Sequence, residues 1–261
     1  MRRRFGQHFL ASAWADKVVA AIDPRPDQRF LEIGPGPGVL TSRLAARAAH
    51  VTAVEIDRDL ARDLRRDAPS NVAVVEADIL EFDLAAHAAA GPFRVAGNLP
   101  YNISSPILFR LLDTASASRN LLDATVMLQR EVADRIAAVP RTRDYGVLTI
   151  FTAAQADVTR LLTLPPGAFR PPPKVNSAVI RLTFKPSIVP GALEEIFGRM
   201  VKSMFTQRRK TLANALRPFA ETVGASAADA LAAAGIDPVR RPETLTMTEI
   251  LALAQSLKPN F

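Results

Sequence analysis

Leu31-Glu32-Ile33-Gly34-Pro35-Gly36-Pro37-Gly38 decides the fold of this chain. An apolar run, Phe30 to Ile33, ends in alternating glycines, and a helical pattern, Leu40 to Ala48, follows. Strand, glycine-rich turn and helix together open a binding crevice in an open α/β sheet, because residues without a Cβ let the backbone pass close to a ligand. The glycines stand at positions 34, 36 and 38, whereas a dinucleotide fingerprint would place the third at Val39. That spacing disfavours a pyrophosphate cradle and points to a cofactor without phosphate.

Working outward, further short apolar runs occur at Val51 to Val54, Val72 to Val75, Phe93 to Ala96, Thr125 to Leu128 and Val147 to Ala154. Helical patterns such as Asp59 to Asp67 and Pro106 to Leu112 lie between them. This rhythm predicts a Rossmann-like, doubly wound, mostly parallel sheet, with Val179 to Phe184 as a late antiparallel strand after the Pro-rich loop Pro165 to Pro173. Beyond Pro186 and Pro190 the chain reads as helices, Leu193 to Phe205, Lys210 to Leu216, Ala227 to Ala234 and Met247 to Leu257. The expectation is a catalytic domain of residues 1–186 and a small helical domain of residues 187–261.

The strand ends carry the chemistry. Glu55 closes the second strand about 20 residues after the glycine turn, where a carboxylate accepts from ribose hydroxyls. Asp78 follows the third strand and can accept from an adenine amino group while Ile56 and Ile79 pack on the ring faces. Three strand ends thus fit three parts of an adenosyl cofactor. The plainer alternatives are a solvated strand terminus for Glu55 and a helix cap for Asp78.

Asn98-Leu99-Pro100-Tyr101 follows the fourth strand and sets a side-chain amide, backbone carbonyls and an aromatic ring side by side. An exocyclic amino group on a base needs such partners, two acceptors and a flat face to stack on. Asn and Pro are also common in turns, which is the alternative. Phe169 is a second candidate aromatic wall for a base turned out of its stack, or else a loop anchor packing on the core.

Composition narrows the partners. The 261 residues are 48% apolar, ample for a core, and 33 basic against 26 acidic residues give a formal charge of +7, which points to an acidic partner such as nucleic acid. Cysteine is absent and His8, His50 and His87 are scattered, so no metal site is expected. Gly6, Gln7 and His8 interrupt what would be the apolar centre of a signal peptide after Arg2 to Arg4, and no run approaches the ~20 residues of a membrane span. A cytoplasmic monomer is expected. Acid-free stretches hold Arg160, Arg170, Lys174, Arg181 and Lys185, then Arg199, Lys202, Arg208, Arg209, Lys210 and Arg217, all candidate phosphate contacts. Arg208, Arg209 and Lys210 are the strongest of these, and Arg199 and Lys202 fit a solvated helix face equally well.

Several motifs in order then carry a resemblance: Phe5-Gly6-Gln7-His8-Phe9-Leu10, Glu32 to Thr41, Asn98-Leu99-Pro100-Tyr101-Asn102-Ile103-Ser104, Leu128-Gln129-Arg130-Glu131-Val132 and Phe169 to Ser177. The chain resembles, essentially end to end, the ribosomal RNA adenine dimethyltransferase family. Gln207 to Thr211 and Gly235-Ile236-Asp237-Pro238 are similar to its housekeeping small-subunit branch. The resemblance implies a class I methyltransferase fold and S-adenosylmethionine bound by His8, Leu10, Gly34, Glu55, Asp78 and Asn98, with Gly36, Ile56 and Ile79 completing the cofactor site. It implies methylation at N6 of two adjacent adenosines near the 3′ end of 16S rRNA, within the small ribosomal subunit or its precursor. It further implies a base clamp of Asn98, Leu99, Pro100, Tyr101 and Phe169, and RNA contacts at Arg170, Lys174, Arg208, Arg209 and Lys210. The family more often carries Asn where His8 stands. Rival readings are the related 23S rRNA enzyme of the antibiotic-resistance type, a DNA adenine methyltransferase, and a ribosome-assembly factor whose chemistry is secondary.

Overall fold

The computed structural model describes residues 8–258, so Arg2 to Arg4 and the Phe5-Gly6-Gln7 part of the first motif lie outside the described residues. In chain order the first unit comprises β1 (Phe9–Leu10), α1 (Ser12–Ile22), β2 (Arg29–Ile33), α2 (Thr41–Ala45), β3 (His50–Glu55), α3 (Arg58–Asp67), β4 (Val72–Glu76), α4 (Leu84–Ala89), β5 (Phe93–Asn98), α5 (Ser104–Ala117) and β6 (Leu121–Gln129). After α6 (Arg130–Ile136) and α7 (Val147–Gln155) come β7 (Ala156–Leu164), β8 (Phe169–Arg170) and β9 (Ser177–Phe184). The helices α8 (Glu194–Thr206), α9 (Leu212–Thr222), α10 (Ala227–Ala233) and α11 (Met247–Ser256) follow.

Among the described residues the main sheet has seven strands in the order β4-β3-β2-β5-β6-β9-β7. The first five are parallel, and β9 runs antiparallel between β6 and β7 as its alternation predicts. The strand order reverses between β2 and β5, and ligands bind outside the carboxyl ends of strands at such a switch point. Gly97 is required there, because a Cβ on it would collide with the backbone of Ile33 on β2. The turn into α3 is fixed locally, the Asp57 carboxylate accepting the N–H groups of Asp59 and Leu60 as an N-cap.

Val147 to Ala154 is a correction: it forms α7, not a strand. A short continuous apolar run cannot be assigned by period alone. The Gly146 N–H donates to Thr149 Oγ1 at the helix start, and Ile150 and Ala154 are buried in the helical core with Phe197, Met200 and Leu216. The strand comes one segment later, as β7.

The chain divides into two compact units, one running to Ala133 and again over Ala156–Lys185, the other formed by Asp134–Gln155 and the chain from Pro186 onward. The last division falls between Lys185 and Pro186. Asp134–Gln155 belongs with the helices, because the apolar side chains of α7 pack there.

Candidate active site

At the carboxyl ends of β2, β3 and β5 the sheet unit holds a cavity of about 260 Å³. Its walls include His8, Gly34, Gly36, Glu55, Ile56, Asp78, Ile79 and Asn98 to Tyr101, so three strand ends and the tetrapeptide converge there. The glycine turn is drawn against its neighbours. Gly34 N–H donates to Val54 O at 3.0 Å, and a Cβ on Gly36, whose φ is 55°, would lie 2.8 Å from the Phe9 ring.

Glu55 is buried, and each carboxylate oxygen takes one backbone donor, Gly36 N–H at 2.9 Å and Asp57 N–H at 3.0 Å. Burial pushes its carboxyl above the usual range, opposed by those hydrogen bonds. Each oxygen keeps a lone pair for a further donor. Asp78 Oδ1 accepts the Leu80 N–H at 2.8 Å, and its carbonyl accepts from Glu81 and Phe82, so Asp78 shapes a turn while it lines the cavity. Arg110 donates to Ile79 O and Phe82 O and pins that turn from α5. Beneath the glycine turn Glu32 is 1% exposed, its Oε2 has no hydrogen-bond donor, and burial pushes its carboxyl up to about 8.

The tetrapeptide forms the other wall. Asn98 Nδ2 donates to His8 O at 2.7 Å, which turns Oδ1 the opposite way, where it is buried without a donor. Leu99 N–H donates to Met127 O, and Pro100 O accepts the Ile103 N–H at 3.1 Å. The Tyr101 hydroxyl shares a 2.7 Å hydrogen bond with Ser177 Oγ, and its ring stacks on the His8 imidazole with centroids 5.5 Å apart. His8 Nδ1 in turn donates to Pro171 O at 2.7 Å.

Two expected site residues lie elsewhere. Leu10 and Phe169 face each other across the β1–β8 pair and are buried in the core with Val18, Met127 and Val179, so neither lines the cavity. Successive residues of a strand point to opposite sides, which sends Leu10 inward and Phe9 to the cavity. Phe169 is therefore the loop anchor of the alternative reading, and the motif that begins with it reaches the site through Pro171 O and Ser177 instead. Phe9, Pro171 and Ser177 were missed. All three depend on chain-distant pairing, Phe9 on that of β1 with β8.

The basic candidates also separate. Arg181 is no surface contact, because it donates to Ala21 O, Ile22 O and Thr125 Oγ1 and so closes the carboxyl end of α1. Lys185 is paired with Asp157, and Arg199 with Glu195. Arg170 is exposed and donates to Gly167 O and Phe169 O, and Lys174 is exposed in the same loop. In the helical unit Arg208 donates to Thr142 O, while Arg209 and Lys210 are exposed. Among the described residues no helix is long and apolar enough to cross a membrane, and no group of three or more His, Asp or Glu could hold a metal.

A parallel sheet with one inserted antiparallel strand, a glycine turn after β2 and carboxylates at successive strand ends define a class I methyltransferase. The chain belongs to the ribosomal RNA adenine dimethylase family, whose model matches residues 1–258. It is 45% identical over 262 residues to "Ribosomal RNA small subunit methyltransferase A" of Methylibium petroleiphilum, covering 99% of this chain and 97% of that one. The protein of the same name from Acinetobacter baylyi is 45% identical over 99% of this chain and 93% of its own. Among solved structures, a dimethyladenosine transferase from Plasmodium falciparum matches with TM-score 0.80 at 25% identity, covering 94% of this chain and 96% of that one. The 23S rRNA methyltransferase ErmE matches with TM-score 0.68 at 30% identity over 96% and 100%.

Proposed function

We propose that this enzyme transfers methyl groups from S-adenosylmethionine to N6 of two adjacent adenosines near the 3′ end of 16S rRNA, forming N6,N6-dimethyladenosine during small-subunit maturation in the cytoplasm. One observation carries the chemistry: Asn98, which lines the cavity three residues from Tyr101, has in its Oδ1 a buried acceptor without a donor. A buried acceptor left unpaired costs free energy of order 1–3 kcal/mol, which a donor on the ligand would relieve.

The residues present fit the cofactor. Ile56 and Ile79 offer apolar faces to an adenine ring, Asp78 a carboxylate to its amino group, and Glu55 two acceptor oxygens to a ribose. When bound, S-adenosylmethionine supplies an electrophilic methyl group on a sulfonium. The chain's task is then to hold the target amino group.

Adenine N6 is a weak nucleophile because its lone pair is delocalised into the ring. Asn98 Oδ1 accepts one N6–H and a backbone carbonyl the other, which orients the lone pair towards the methyl group. The second role falls to the Leu99 or the Pro100 carbonyl, the latter accepting the Ile103 N–H and keeping a lone pair. Tyr101 stacks on the base, its hydroxyl held by Ser177. Attack forms an acidic ammonium whose proton leaves to water, so positioning carries the catalysis and no dedicated base is needed. Arg170 and Lys174 beside the sheet unit's pocket, and Arg208, Arg209 and Lys210 in the helical unit, take phosphates of the RNA.

The likeness to ErmE supports a second reading, 23S rRNA as substrate, but at 30% identity against 45% for the small-subunit relatives. Labelled S-adenosylmethionine offered in parallel to unmethylated small subunits, 23S rRNA and DNA separates the readings. Label at two adjacent adenosines of 16S rRNA is expected, and label confined to 23S rRNA or DNA overturns the assignment.

A further inference from the structure

The resemblance makes His8 a cofactor contact, yet its bonded partners are Asn98 and Tyr101 of the other wall and the carbonyl of Pro171. The imidazole stacks on Tyr101 at 5.5 Å and 28° between planes. Its Nδ1 lies 2.7 Å from Pro171 O, and since a carbonyl only accepts, Nδ1 carries the proton. Its backbone carbonyl accepts the Asn98 Nδ2–H at 2.7 Å. An amide has a donor end and an acceptor end, so whichever group takes Nδ2 decides where Oδ1 points.

We propose that His8 is a positioning residue of the target-base clamp, holding the Tyr101 ring through its imidazole and the acceptor face of Asn98 through its carbonyl. The bond to Pro171 keeps His8 in place for both tasks and ties β1 to the loop before β9. The two clamp residues are thus fixed from one point, chain-distant from both. This inference rests on the reading of Asn98 and Tyr101 as the clamp.

The test uses the full chain with unmethylated small subunits and S-adenosylmethionine. His8→Ala removes ring and donor together, and His8→Phe restores the ring without the donor. At saturating S-adenosylmethionine we expect kcat of His8→Ala to fall about tenfold or more, the scale of a misplaced reacting group. His8→Phe should recover part of that loss. The chain has two tyrosines, Tyr101 and Tyr145, so tyrosine-labelled NMR gives an independent readout. The ring resonances of Tyr101 should move in His8→Ala and those of Tyr145 should not.

An unchanged kcat with all the loss in the KM for S-adenosylmethionine would make His8 a cofactor contact only and overturn the proposal. So would unmoved Tyr101 resonances, or a His8→Phe enzyme no faster than His8→Ala. Asn98→Ala measured alongside keeps the two readings apart. Retained turnover in Asn98→Ala breaks the clamp itself, whereas lost turnover there with full kcat in His8→Ala breaks the His8 assignment alone.

Discussion

The two walls of the cavity are built in different ways. The cofactor wall is local: Gly34 to Gly38, Glu55 and Asp78 are successive strand ends, and their carboxylates are already engaged by neighbouring backbone N–H groups. The clamp wall is assembled from far along the chain, with His8, Asn98, Pro171 and Ser177 joined by side-chain hydrogen bonds, and it leaves the acceptor Asn98 Oδ1 unpaired. A shelf that must receive a hydroxyl-rich cofactor can be pre-satisfied. On the proposed reading, a clamp that must hold a weak nucleophile in one orientation keeps its hydrogen-bonding capacity for the substrate.

The sharpest way to break this contrast is at Phe169. As a fully buried anchor, Phe169→Ala should cost about 3–5 kcal/mol of stability, read by denaturant unfolding. If Phe169 were a clamp ring instead, the variant would keep its stability and lose turnover. Beneath the cofactor wall, Glu32 offers a pH test. Its folded value of about 8 lies above the 4.5 of an exposed glutamate, so its contribution is full below pH 4.5 and is lost as pH rises towards 8. Glu32→Gln should therefore be more stable than the parent at pH 8, by on the order of a few kcal/mol, with the gap closing towards pH 4.5 in thermal melts. A gap independent of pH would refute the buried-acid account.

Within the clamp, Tyr101→Ala should lower turnover by roughly 10- to 100-fold, the worth of one stacked base, with little change in S-adenosylmethionine affinity. Tyr101→Phe, which loses only the Ser177 bond, should lose far less. Smallest of all, Arg209→Ala and Lys210→Ala should each weaken subunit binding by about 1 kcal/mol and reduce its salt slope by about one, leaving kcat at saturating subunit intact. A changed kcat would contradict a role confined to binding the subunit.

The same division explains what could be read from the sequence. The glycine turn, Glu55, Asp78 and Asn98 are each announced by a strand ending, a local signal, and all line the cavity. Strand β9 was legible from its alternation, whereas α7 was not, because Val147 to Ala154 is a short, mostly apolar stretch whose Thr149 and Thr152 are themselves buried, and only its packing among helices decides it. Leu10 was read as a site residue and Phe9 was not read at all, since a two-residue strand shows no period until its partner β8 is known. Ser177 and Pro171 could not be read as site residues at all. Their roles exist only once β9 lies beside β6 and β1 pairs with β8.

The central claim is that Asn98 orients the amino group that is methylated. Asn98→Ala should bind small subunits as the parent does, and kcat for dimethyladenosine formation at saturating concentrations of subunits and S-adenosylmethionine should drop about 10²- to 10³-fold. Turnover at the parental rate, with both ligands saturating, would contradict the account.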